Sequence, residues 1–202
     1  APFQTSGKLN DAISIAVLPF LTLGLTTNEE YLGLGLADAL ITQLSQTQKL
    51  TVRPTNAVRS FTDAGRDALE IGKKLKTSAV LDGNLQKSGE RLRVTVQLVK
   101  TESGATLWAD KFSADFTDFF EVQDQIGEQV SRALLLKLNT SEQRQINKRF
   151  TESNAAYLEY LKGRHHWEKR DVEGFHCAIE YYKKAIDIDP VYSLAYVGLS
   201  DV

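Results

Sequence analysis

The chain is long enough, at 202 residues, to bury one large core or two small ones, and its 42% hydrophobic and 25% charged side chains are ordinary for a globular protein. A net charge of −2 excludes a basic footprint for nucleic acid and a polybasic face for a membrane. One cysteine, Cys177, excludes an intrachain disulfide, and its place in a helical pattern predicts a small buried side chain.

The chain starts at Ala1 and contains no methionine, which predicts a fragment or a processed product of a longer protein. No apolar run approaches the roughly 20 residues needed to cross a bilayer, and no signal-peptide pattern is visible. The compartment, cytoplasmic or periplasmic side of an anchored parent, is left open.

Residues 1–12 are small and polar and read as a linker. Ser14 to Phe20, SIAVLPF, is a short continuous apolar run. Such a run predicts a strand buried on both faces, with Pro19, which has no N–H, marking its exit from the sheet. Leu21 to Asn28 reads as a Gly/Thr-rich loop. Thr27 and Glu30 have capping-box spacing. Leu32, Leu36, Leu40 and Leu44, widened by Ala37 and Ile41, then mark one face of a helix ending near Gln46.

Leu50 to Arg53 reads as a second strand stopped by Pro54, and Asn56 to Phe61 as a helical turn. Ala68 to Leu75 reads as a helix packing Leu69, Gly72 and Leu75 inward. A meander follows: strands Ala79 to Lys87, Arg91 to Lys100 and Ala105 to Ser113, joined at Ser88-Gly89-Glu90 and Thr101 to Gly104. In the second of these, Leu92, Val94, Val96 and Leu98 alternate with Arg93, Thr95 and Gln97, the pattern of a half-buried antiparallel strand.

A long helix is predicted from about Asp118 to Leu138, buried along Phe119, Val122, Ile126, Val130, Leu134 and Leu138. Asn139 breaks it. Thr140 and Gln143 again have capping-box spacing and open a short polar helix reaching about Phe150. Strands and helices in this order predict a mixed sheet with helices packed on it.

The last fifty residues read as helix only. Ala178, Tyr182, Ala185 and Pro190 have the spacing of the second helix of a tetratricopeptide repeat, with Asp171 as its cap. Asn154 to Trp167 would be the partner helix, although it lacks the usual Trp-Leu-Gly spacing. Tyr196 and Leu199 would open a next repeat.

Six ordered stretches carry a family resemblance: SIAVLPF, GLGLADALITQLS (Gly33 to Ser45), LTVRPT (Leu50 to Thr55), IGKKLKTSAVLDGNLQKSGERLRVTVQLV (Ile71 to Val99), LWADKF (Leu107 to Phe112) and FFEVQDQI (Phe119 to Ile126). Together they resemble the TolB-like amino-terminal domain, related to the flagellar FlgO-type domain, which commonly precedes tetratricopeptide repeats. The resemblance implies an α/β (α+β) mixed-sheet domain followed by an all-α tetratricopeptide helical-hairpin region. The predicted division is 1–12 linker, 13–139 TolB-like domain, 140–152 connecting helix and 153–202 repeat region. The pair of domains occurs in CadC-type winged-helix transcriptional regulators, in some class III adenylate cyclases and in some kinases. One fold thus rides on different effectors.

Three clusters invite a chemical reading. Gly33-Leu34-Gly35 with Asp38 has the look of a phosphate loop, but it lies inside a helical stripe instead of between a strand and a helix. His165, His166, Glu168 and His176 suggest a metal site, yet adjacent histidines on a helix point about 100° apart. Asp110, Asp115, Asp118 and Glu121 form an acidic stretch that suits a solvated loop and a helix N-terminus. Trp108 reads as core or sheet-edge packing. Gly-x-Ser-x-Gly, a P-loop and a Cys/His pair in useful order are absent.

The sequence therefore predicts no enzyme, no cofactor and no metal. Two classes of function follow. The first is a regulatory and protein-interaction region of a larger bacterial signalling protein. It would take a protein or peptide in the repeat groove, or a second copy in a homodimer, and would make no direct contact with nucleic acid. The second is a small-molecule sensor, or the regulatory region of a cyclase, with a pocket at the sheet ends where strand order reverses.

Overall fold

The computed structural model describes residues 13–25, 29–47, 49–63, 65–89, 91–115, 119–134 and 149–202. The predicted linker, Thr27, Asp118, and the residues from Leu138 to Gln143 lie outside them.

Strand β1 (Ile13–Val17) is an interior strand, one in from the sheet edge, with parallel neighbours on both sides. Ile15, Ala16, Val17 and Leu18 are fully buried, as the unbroken apolar run predicts. The strand stops at Val17, two residues before Pro19, although the Leu18 N–H still donates to the Leu81 carbonyl at 2.9 Å.

The stretch predicted as a loop after Pro19 contains a second strand, β2 (Leu21–Leu23). It pairs in parallel with Asn84 to Gln86, further along the same strand that β1 pairs with at Ala79 to Leu81. Leu18, Pro19 and Phe20 separate the two strands, and the chain resumes pairing at Leu21. Three residues are too few to show a period, which is why the sequence reads as loop there.

Helix α1 (Tyr31–Leu44) buries Leu32, Leu36, Leu40 and Leu44 and is flanked by Glu30, whose side chain makes no capping bond. Strand β3 (Leu50–Val52) pairs with β1, and Pro54 leads into the short helix α2 (Thr55–Val58). Helix α3 (Ala68–Lys74) is capped by Asp67, whose carboxylate accepts from the Leu69 and Glu70 N–H groups. Its buried residues are Ile71 and Gly72; Leu69 and Leu75, predicted to point inward, are half-buried because the helix touches the sheet along one narrow line.

The meander is β4 (Ala79–Ser88), β5 (Arg91–Lys100) and β6 (Thr106–Asp115), antiparallel throughout. Gly89 and Gly104 turn it at φ +62° and +70°, where a Cβ would be strained. Helix α4 (Phe119–Ala133) buries Phe119, Val122, Ile126 and Val130. The path order is β3-β1-β4-β5-β6, with β2 on β4, so the sheet is mixed.

Alternation along β4 assigns the two faces. Leu81 and Leu85 share a face with Val94 and Leu98 of β5, and α1 and α4 lie there. Val80 points to the other face, where a Cβ on Gly72 of α3 would come within 2.5 Å of it. Arg66, its side chain 4% exposed, anchors the segment before α3: it donates to the carbonyl oxygens of Phe61 and Pro19 and pairs with Asp82.

The remainder is three helices: α5 (Asn154–Trp167), α6 (Val172–Ile188) and α7 (Ser193–Ser200). Helix α5 packs on α1 and, as an antiparallel partner, on α6. The buried residues of all three join those of the sheet and of α1 and α4 in one continuous apolar core. Cys177, predicted to be buried, is half-buried, because the close helix contact is made by Ala178 and Ala185 instead.

Candidate functional site

Helix α5 is the element that joins the two parts. It begins cleanly: the Ser153 side chain accepts from the Ala156 N–H at 3.2 Å, and the Thr151 hydroxyl accepts from the Ser153 N–H at 3.0 Å. Tyr157, Tyr160, Leu161 and Arg164 follow at three- and four-residue steps and share one face of the helix.

That face meets α1 and α4. Tyr157 stacks on Phe120 with ring centroids 4.6 Å apart and tilts against Phe119 at 6.0 Å. Its hydroxyl donates to Oε1 of Gln123 at 3.2 Å. Tyr160 sits 5.3 Å from Tyr192 and 5.8 Å from Tyr182, carrying the aromatic contacts on to α6 and the start of α7. A Cβ on Gly35 of α1 would lie 2.8 Å from Leu161, so the glycine sets the helix approach.

Charged groups close the edge of this junction. Arg164 reaches Asp38 at 3.4 Å, and Asp38 also accepts from the Thr55 hydroxyl. Glu168, just past α5, pairs with Arg59, just past α2. Arg149 pairs with Asp124 of α4. Burial pushes the Tyr160 phenol up to about 12, with Arg164 opposing and Asp38 adding to the rise, and burial raises Tyr157 and Tyr192 as well. These phenols stay neutral and act as walls and hydrogen-bond donors.

Among the described residues, two larger concave features flank α5. The first is a cavity under it, between α1 and α4, lined by Gln43, Phe120, Tyr157, Tyr160 and Tyr192, with Asp38 at its side. Its volume is about 60 Å³. The second is an open groove of about 640 Å³ at the carboxyl end of β1. Pro19, Phe20, Glu30, Arg59, His165 and Lys169 border it. The helices that follow the adjacent parallel strands β1 and β3 go to opposite faces of the sheet, so this groove is at the reversal point of the strand order.

The predicted candidate residues distribute as follows. Gly33 and Gly35 lie within α1 and serve packing: a Cβ on Gly33 would fall 2.1 Å from the Phe20 carbonyl oxygen. Asp38 belongs to the α5 junction. The rings of His165 and His166 cross at 87° with centroids 5.6 Å apart, and His166 stacks on Tyr181. Burial lowers the His165 pKa, with Lys169 and His166 adding to it and Glu30 opposing. His176 is exposed on α6, and among the described residues no three His, Cys, Asp or Glu side chains cluster as metal ligands. Asp110 and Asp115 are exposed on edge strand β6, while Glu121 is in the first turn of α4. Trp108 is half-buried on β6, 6.0 Å from Phe112.

Ala178, Tyr182 and Ala185 are buried. The Tyr182 ring lies between Gly163 of α5 and Gly198 of α7, where added Cβ atoms would come within 2.6 and 2.7 Å. Pro190 follows the end of α6. Leu199 packs on the core, and the half-exposed Tyr196 donates from its hydroxyl to the Pro190 carbonyl at 3.0 Å. Sequence reasoning missed Gln43, Tyr157, Tyr160 and Arg164; their shared helical face was the available signal for the last three.

Fold and site together define a mixed-sheet α/β domain that carries a docked helical hairpin. Residues 10–129 match the family described as HilA/YgeH-like transcriptional regulator, second domain, and the chain belongs to that family. A curated relative, "Putative adenylate cyclase 3" of Rhizobium meliloti, is 26% identical over 187 residues. That match takes in 93% of this chain and 32% of the relative, so the chain spans about a third of the relative's length. Similar solved structures include TolB from Acinetobacter baumannii, with a TM-score of 0.48 and 15% identity over 62% of this chain and 29% of that one. Lipoprotein GNA1162 from Neisseria meningitidis gives 0.44 and 17% over 59% and 99%.

Proposed function

We propose that this chain is the non-catalytic regulatory and protein-interaction region of a larger bacterial signalling protein. The reading we favour is a CadC-type transcriptional regulator whose DNA-binding domain is a separate part of the protein. Membership in a family of regulator domains supports the signalling role. Residues 153–202 are then the start of a tetratricopeptide array, and a protein or peptide is the partner.

The observation that carries the interaction role is a surface. The inner side of the hairpin is fused to the α/β domain, while Ile188, Val191, Tyr196 and Val197 are exposed around the corner between α6 and α7. Exposed apolar groups gathered at one corner suit a partner better than water. In the full-length parent, Val191→Ser with Val197→Ser is expected to lower the signalling output several-fold and leave the melting temperature of the chain unchanged. Unchanged output contradicts the reading. A gel-shift of the chain with parental promoter DNA separates this role from direct DNA binding: tight, salt-sensitive binding would place the DNA contact here.

A second reading rests on the cyclase relative: the same module would regulate a nucleotide cyclase domain elsewhere in its parent. Sensing through the groove at the end of β1 would serve either parent.

A further inference from the structure

Strand β6 leaves one side of its backbone unused. It closes the path β3-β1-β4-β5-β6, and among the described residues its ten residues meet no strand on the outer side. The direction of its backbone groups follows from β5. The Lys100 N–H turns to the β6 side and donates to the Ala105 carbonyl, while the next N–H, of Thr101, turns to the β4 side and donates to Ser78. Directions alternate along a strand, so Arg93, Thr95 and Gln97 turn to β4. Their partners across the other ladder, Ser113, Lys111 and Ala109, therefore turn their backbone groups outward. The Lys111 N–H agrees: the Asp110 carboxylate accepts it at 2.8 Å. All three residues are exposed.

An open edge of this length is a template for a further strand, and charges placed on it control what can pair. Here the charges are Asp110 and Lys111, at the middle of β6. Two copies of β6 related by a two-fold axis oppose residues of the same face. The two registers that pair most of the strand centre on Asp110 or on Lys111. One sets Asp110 against its own copy and the other does so with Lys111, and like charges directly opposite are unfavourable. The edge is thus guarded against a second copy and open to a segment of complementary charge.

We propose that β6 is the docking edge for an extended segment of another protein, which adds as an antiparallel strand and carries an acidic residue followed by a basic one. The acid lies opposite Lys111 on the open face of the sheet. The base lies opposite Asp110 on the face that carries α4. The residues two places before and two places after the base are apolar and lie over Phe112 and Trp108, whose ring centroids are 6.0 Å apart on that face. Backbone hydrogen bonds supply the attraction, and the order of the two charges sets register and selectivity. The edge is on the sheet, so the inference stands without the corner between α6 and α7.

The test is an amide-resolved NMR titration of the full chain with the end-blocked peptide Thr-Val-Glu-Arg-Ser-Val-Thr. The control, Thr-Val-Arg-Glu-Ser-Val-Thr, has the same composition with the charges exchanged. The first peptide is expected to give saturable shifts centred on residues 106–115 and to slow amide exchange at Ala109 and Ser113. The second should bind at least tenfold more weakly. Exchanging the charges on the chain, Asp110→Lys with Lys111→Asp, should reverse that preference; both positions are exposed, and circular dichroism checks the fold. N-methylation of the peptide glutamate removes the N–H that would meet the Lys111 carbonyl and should abolish binding to the unsubstituted chain. No saturable shift at β6, equal binding of the two peptides, an unreversed preference in a folded exchanged chain, or undiminished binding of the N-methylated peptide would each overturn the proposal. Concentration-dependent self-association of the free chain through residues 106–115 would give the edge to a second copy and overturn it as well.

Discussion

His165 is where a single side chain ties the hairpin to solution conditions. It borders the groove at the end of β1, and burial first, then Lys169 and His166, lower its pKa in the folded chain. The unfolded chain therefore takes up a proton at a higher pH than the folded one. Between the ordinary histidine value near 6.5 and the lower folded value, the unfolded state binds more protons, so stability falls as pH falls. Above that window the contribution is fully present. Replacing His165 by Gln removes it, and unfolding curves from pH 7 to 5 should show a shallower loss of stability in His165→Gln. Equal slopes would mean that the imidazole is as easily protonated folded as unfolded.

At the scale of elements, α1 is defined by what lies against it on two sides. Gly33 meets backbone and Gly35 meets a side chain, so the two glycines separate cleanly in a test. Alanine is the better helix former by about 1 kcal/mol at either position. At Gly33 the new methyl would sit 2.1 Å from the Phe20 carbonyl oxygen, a backbone atom with nowhere to go. Gly33→Ala should cost about 1–3 kcal/mol net in chemical denaturation. At Gly35 the neighbour is the buried Leu161 side chain, which can give only in part, so Gly35→Ala should cost less than Gly33→Ala without being neutral. The reverse order would show that α1 is seated differently. The leucine stripe of α1 and the alternation of β5 were legible because each repeats over enough residues to show a period. Strand β2 was not, because three residues carry no period and its pairing depends on β4 some sixty residues later. The α5 junction was half legible. Tyr157, Tyr160 and Leu161 share a face in the sequence, but nothing local says that the face meets α4. Gln43 was invisible for the same reason: in sequence it is one polar residue at the edge of an apolar stripe, and its burial comes from Gly127, more than eighty residues away.

For the whole molecule, the continuous core is the main fact. Sheet, α1 and α4, and the hairpin share one set of buried side chains, and ion pairs from Arg59, Arg149 and Arg164 fasten the seam. The interaction surface proposed at the α6–α7 corner would then be rigidly coupled to the sheet, as the proposed regulatory role requires. A hinge between two separately folded bodies would transmit far less. The two tryptophans report on the two parts: Trp108 is on β6, and Trp167 ends α5, its Nε1–H donating to the Asp201 carbonyl at 3.1 Å. Fluorescence-detected unfolding of Trp108→Phe and Trp167→Phe therefore follows the hairpin and the sheet separately. If the hairpin and the α/β domain are one cooperative unit, each variant's fluorescence transition coincides with its own circular-dichroism transition. If the Trp167 signal is lost at a lower denaturant concentration than the Trp108 signal, with a second step in the circular dichroism, the hairpin folds on its own and the coupling claimed for it is wrong.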